Sequence, residues 1–159
     1  MCSSDLPIVE NPFFLPRARL VSGAVVEPDD ERALALLRAP DFARSQSIVL
    51  ASGAPSSPAS PAPGTARIVE SRPDRVRVEI DPTAPGFLIL SDTFFPGWAA
   101  TVDGQPRSIL RANVAFRAVP VAPGEHEVEF RYAPLSFRIG VTLSLAALVI
   151  AIGFLTRRR

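Results

Sequence analysis

Arg75 to Asp81 reads RVRVEID, with charged and apolar side chains alternating without a slip. Successive side chains of a β-strand point to opposite faces, so this stretch buries one face and wets the other. Glu125 to Tyr132 (EHEVEFRY) repeats the pattern, and Gly86 to Asp92 (GFLILSD) is a continuous apolar run. Ala66 to Ser71, Ala99 to Val102, Arg107 to Ala112 and Phe116 to Val121 supply further short strands, with turns at Asp103-Gly104 and Pro123-Gly124. Seven or eight short strands at hairpin spacing predict a mainly β fold, an antiparallel β-sandwich over residues 65–134.

Composition agrees with that choice. The chain has 159 residues, enough for one domain of ordinary size, and its 17 Pro and 9 Gly are too many for a mostly helical protein. Seventeen arginines and no lysine against 16 acids leave a net charge of +1, which gives no reason to expect a nucleic-acid partner. A single cysteine, Cys2, and a single histidine, His126, exclude an internal disulfide framework and a zinc cluster of the usual Cys/His kind. Met1 to Leu6 (MCSSDL) back-translates readily to the end of a common short-read sequencing adapter. Residues 1–6 are therefore read as a non-native start, with the native chain beginning upstream.

Before the sandwich, residues 7–51 read as a small α+β segment. Arg17 to Glu27 suits a strand or a bulged pair, and Pro28-Asp29-Asp30-Glu31 starts a short helix that runs to Arg38 and stops at Ala39-Pro40. Ser47 to Ala51 reads as another strand. Ser52 to Gly64 (SGAPSSPASPAPG), with four prolines in thirteen residues and no aromatic, is an exposed linker between segment and sandwich.

After the sandwich, Ile139 to Leu155 carries no charge. With its neighbours it predicts a C-terminal transmembrane helix over 137–156, with the lipid bilayer as partner and Arg138 and Arg157 snorkelling at the two faces. Arg157, Arg158 and Arg159 form a basic tail that puts the C-terminus in the cytoplasm and residues 7–136 outside it.

Phe94-Phe95-Pro96-Gly97-Trp98 gathers three aromatics around a Pro-Gly turn. Such a group stacks on a sugar, rests in a membrane interface, or plugs the sandwich core. The plug is the preferred reading for Trp98, with a structural or docking role. Asp92, Asp103, Asn113 and Glu125 are oxygen donors for a sugar or calcium ion, although no EF-hand spacing is present and turn formation accounts for each. The binding candidates are thus Trp98, Asp92 and Asn113. His126 falls at a solvent-facing strand position between Glu125 and Glu127. No nucleophile elbow, phosphate loop or distinguished carboxylate pair occurs, so no catalytic residue, metal site or cofactor is expected.

Taken in order, Leu90 to Trp98 (LSDTFFPGW), Val102 to Pro106 (VDGQP), Arg111 to Arg117 (RANVAFR) and Pro123 to Tyr132 (PGEHEVEFRY) resemble the C-terminal region of the YfhO family of bacterial membrane proteins. Asn11 to Val21 (NPFFLPRARLV) extends the likeness over residues 11–159. Phe94, Phe95 and Val114 stand where the family is expected to carry tyrosines. The resemblance implies a large polytopic protein, similar to C-type glycosyltransferases, that uses a lipid-linked sugar outside the cytoplasmic membrane to modify envelope polymers. Its catalytic acids would lie in a many-helix N-terminal part missing from this chain, so no catalytic residue carries over. The chain is then an extracytoplasmic accessory domain with the last membrane helix, its partners being that missing part and envelope glycan. The alternative is a stand-alone, membrane-anchored β-sandwich that binds glycan or protein. A soluble hydrolase fits poorly, because no nucleophile is evident.

Overall fold

The computed structural model describes residues 15–44, 47–57 and 64–157. Its elements are β1 (Ala18–Val21), β2 (Gly23–Val26), α1 (Asp30–Arg38), α2 (Pro40–Arg44), β3 (Ser47–Leu50), β4 (Gly64–Arg72), β5 (Arg75–Pro82), β6 (Gly86–Thr93), β7 (Trp98–Val102), β8 (Gln105–Arg107), β9 (Leu110–Ala112), β10 (Phe116–Val121), β11 (His126–Tyr132) and α3 (Leu135–Arg157). The fold is mainly β, in two sheets ordered β1-β6-β10-β9-β3-β2 and β4-β5-β11-β7-β8.

The five-stranded sheet has one wet face, which is why its strands alternate. Val76, Val78 and Ile80 of β5 and Val128 and Phe130 of β11 are buried. On the other face, Arg75 pairs with Glu129 and Arg77 with Glu127 across the two strands. The six-stranded sheet is covered on both faces, which explains the unbroken apolar run of β6. Leu88 and Leu90 join Val78, Val128 and Phe130 in a core between the sheets, while Ile89 and Phe87 pack into a second core with Ile48, Leu50, Ala112 and Ala118. Each fully buried Leu or Ile contributes about 1.5–3 kcal/mol.

Only Ser22 separates β1 from β2, yet these strands are the two edges of the six-stranded sheet. One residue spans about 3.5 Å. The sheet must therefore curl until its edges meet, with the second core inside the curl. Gly86 touches the Val21 carbonyl where a Cβ would not fit. β2 and β3 run parallel, from Gly23 opposite Ser47 to Val26 opposite Leu50, and α1 with α2 supplies the crossover that a parallel pair needs. Asp29 caps α1 by accepting a bond from the Arg32 amide at 2.9 Å, and Asp30 and Glu31 complement the helix dipole. α1 ends at Ala39, as expected. The unanticipated α2 begins at Pro40, whose missing N–H costs nothing in a first turn.

Two expected boundaries shift. β1 pairs with β6 and β3 with β9, so one sheet draws strands from both sides of the proline-rich stretch, and residues 17–51 do not pack as a separate unit. Strands of four residues cannot enclose a core of their own, and they borrow the faces of β6, β9 and β10. Ser56 bridges to Ala24 through two backbone bonds of 2.9 Å, while linker residues 58–63 and the start at 1–6 lie outside the described residues. The strand expected over 107–112 divides into β8 and β9, which belong to different sheets.

The expected C-terminal transmembrane helix is overturned: among the described residues, no helix is long and apolar enough to cross a membrane. α3 forms, and Leu143, Val149 and Ile150 on it are exposed. Gly140, Thr142 and Ser144 interrupt its apolar sequence. Of the basic residues expected to flank a span, Arg138 lies in the first turn of α3 and Arg157 at its end, while Arg158 and Arg159 lie outside the described residues.

Candidate functional site

At the end of the sandwich where α3 begins, three charged side chains meet an aromatic cluster. Asp92 follows Leu88 and Leu90 at a spacing of two, the phase of β6 that faces the inter-sheet core. A register shift helps to place it: Arg117 opposes Leu90 but Phe116 opposes Thr93, leaving Ser91 and Asp92 extra on β6. Arg117 lies in phase with the core residues Val119 and Val121, so its side chain enters the sandwich and is 3% exposed.

The three charges interlock. Arg17 donates twice to Asp92, from Nε to Oδ1 and from Nη2 to Oδ2, both at 2.8 Å, and once to Ser71 Oγ at 2.9 Å. Arg117 Nη2 donates to Asp92 Oδ2 at 2.9 Å. The Arg17 hydrogen bonds hold the Asp92 carboxyl below its ordinary value against the opposing effect of partial burial, and the positive charges of Arg17 and Arg117 add to this. Burial lowers the Arg117 pKa; Asp92 counteracts that, and Arg17 reinforces it. With three donors on it, Asp92 is a carboxylate with no proton to give. It is unsuited to general acid work and poorly free to act as a base.

Trp98 opens β7 beside this knot. The Arg117 guanidinium carbon lies 4.0 Å from its ring centroid and 5.6 Å from that of Phe130, and Tyr132 packs against Trp98 at 5.4 Å with planes tilted by 46°. Gly97, at φ +100°, lets the chain turn into Trp98 where a Cβ would press on Tyr132 and Pro134. Trp98 is half-buried, seated on the edge of the core and also lining a pocket of about 370 Å³ with Pro73, Thr93, Phe95, Arg117 and Tyr132. It is thus both a packing residue and a pocket wall.

Of the three binding candidates, Asp92 and Trp98 are brought together through Arg117, and Asn113 stands apart. Asn113 sits in the turn between β9 and β10 at φ +47°, its Oδ1 accepting from the Val49 amide at 2.9 Å and its own amide donating to the Val49 carbonyl at 2.7 Å. That side chain is spent on fastening β3. Asp103 likewise is engaged, accepting the Glu127 amide and lying 2.6 Å from Nδ1 of His126. Among the described residues, no three of His, Cys, Asp and Glu gather to hold a metal ion.

Sequence reasoning missed Arg17, Arg117 and Tyr132. A signal for Arg117 was present: in FRAVPV it occupies the phase of Val119 and Val121, where a charge needs a buried partner.

Residues 65–144, half of the chain, match the profile of a family described as bacterial membrane protein YfhO. The chain belongs to the YfhO family. The match runs from β4 into α3 and includes the whole aromatic and arginine cluster except Arg17. "Uncharacterized protein YfhO" of Bacillus subtilis (strain 168) is similar, with 26% identity over 73 residues. That alignment covers 46% of this YfhO chain and 8% of the relative, so the chain spans a small part of that relative's length. No solved structure matches.

Proposed function

We propose that this chain is an extracytoplasmic accessory domain of a YfhO-like envelope glycosyltransferase that uses a lipid-linked sugar, with the catalytic acids in a many-helix part outside the chain. The observation that carries the reading is one of proportion: a bacterial membrane protein family matches here, and the similar region is 8% of a far longer relative. The state of Asp92 supports it, since this carboxylate, bound to Arg117 of the pocket wall, is held by two arginines. In this reading the domain docks against the membrane part or positions its glycan acceptor. The pocket beside Trp98 favours a second reading, a β module that binds glycan in its own right.

Membranes supplied with labelled lipid-linked sugar test the proposal. The comparison is between a complete family protein containing this region, the same protein with the region deleted, and this chain alone. The expected result is transfer by the complete protein, reduced modification of the polymer after deletion, and none by this chain alone. Sugar transfer by the purified chain would overturn the reading.

A further inference from the structure

Buried charges in proteins are paired and hydrogen-bonded, because an uncompensated one is costly. Arg117 falls short of that. Its Nη2 reaches Asp92, but Nε and Nη1 are buried with no hydrogen-bond partner. Asp92 has little left to offer them, since Arg17 already takes both its oxygens. The Trp98 ring at 4.0 Å offsets part of the deficit through its electron-rich face. Each unmet donor still carries the cost of its lost hydration. Two arginines against one carboxylate also leave the knot with one excess positive charge.

The pocket lies against this unmet charge. It is an open depression of about 370 Å³, and Phe95, Trp98 and Tyr132 give it flat apolar walls. Flat aromatic walls select a ring with an apolar face, and a guanidinium with free donors selects an oxyanion. We infer that the pocket binds a sugar ring bearing a carboxylate or phosphate, the ring lying against the aromatic walls and the oxyanion on Arg117. Nε and Nη1 lie beneath the surface, so the oxyanion reaches them as the guanidinium slips from the Trp98 ring. Binding then exchanges a cation–π contact for charge-assisted hydrogen bonds, and it does so at the single tryptophan of the chain. The site does not depend on the domain's serving a transferase.

Trp98 emission of the full chain, titrated with glucuronate, glucose 6-phosphate, glucose and inorganic phosphate, tests this, with ligand-observed NMR to detect binding that leaves the emission unchanged. Saturable binding of at least one acidic sugar is expected, about tenfold or more tighter than glucose or inorganic phosphate. The two acidic sugars distinguish the carboxylate from the phosphate. Arg117→Lys should weaken that binding about tenfold or more, since lysine cannot present the guanidinium fork. Should that variant not fold, Phe95→Ala serves: Phe95 is 57% exposed, so its loss should weaken binding of the acidic sugar and leave the melting temperature unchanged. No binding of either acidic sugar at roughly 10 mM, equal affinity for glucose, or inorganic phosphate binding as tightly as the sugar phosphate would overturn the inference.

Discussion

Replacing Asp92 by asparagine keeps the side chain's shape and removes the one negative charge between Arg17 and Arg117. The two arginines contribute unequally to the cost. Arg17 is 43% exposed, so its pair is worth no more than about 1 kcal/mol after solvent screening. Arg117 is 3% exposed, and breaking a buried pair by removing one partner costs about 3–5 kcal/mol. Asp92 keeps 18% of its own exposure and the Trp98 ring still covers the guanidinium, so the low end applies, about 3 kcal/mol in all. For a domain of this size that is a fall of roughly 6–12 °C in melting temperature. Far-UV circular dichroism and urea titration followed at Trp98 would measure it. Asp92→Asn combined with Arg117→Met removes the stranded charge as well and should be more stable than Asp92→Asn alone. The pH dependence follows from the lowered carboxyl. Its stabilisation is present above the ordinary value of 3.8 and is lost as pH falls through the lower folded value, so Asp92→Asn should flatten the acid limb of the stability curve. Asp92→Asn within about 0.5 kcal/mol of wild type, or a double variant no better than the single, would refute the reasoning.

Three further outcomes are expected. Asp103 raises the His126 pKa above 6.5, so the pair's stabilisation is complete below 6.5 and lost as pH rises through the folded value; an NMR titration should place the His126 midpoint above 6.5 and return it toward that value in Asp103→Asn. Gly64→Ala puts a Cβ against the Asp81 carbonyl at φ +113°, and urea unfolding should show a loss of about 1–3 kcal/mol or more from backbone strain. Phe130→Ala at the centre of the core should cost about 3–5 kcal/mol by the same assay, whereas half-buried Trp98→Ala, unfolded in urea under far-UV circular dichroism because it removes the single tryptophan, should cost less and should weaken acidic-sugar binding in ligand-observed NMR.

What could be read from sequence depended on which surfaces face water. β5 and β11 declare themselves because one face of their sheet is solvated, so charge marks every second residue. β6 gave its existence but not its neighbours, because a strand covered on both faces has no phase to read. The pairing of β1 with β6 joins residues about seventy positions apart, and no local pattern encodes it. The split of 107–112 escaped because only Ser108 and Ile109 separate the two strands, with no Gly or Pro to mark the change of sheet. Asp92 and Trp98 were singled out by residue type and neighbourhood, but the meaning of their proximity comes from Arg117 and from Arg17, which lies 75 residues from Asp92.

The curled sheet also bears on how the domain can be divided. Its family-matched portion starts at residue 65, after β1, β2 and β3. A fragment cut at that boundary would keep Ile89, Ala112 and Ala118 but lose their cover from Val21, Ala24, Ile48 and Leu50, and would present the bare edge of β6 to any other chain. Residues 15–57 alone would have no sheet on which to settle. The two pieces are each other's missing halves, as in a split reporter: separately they should aggregate or stay unfolded, and together they should reassemble.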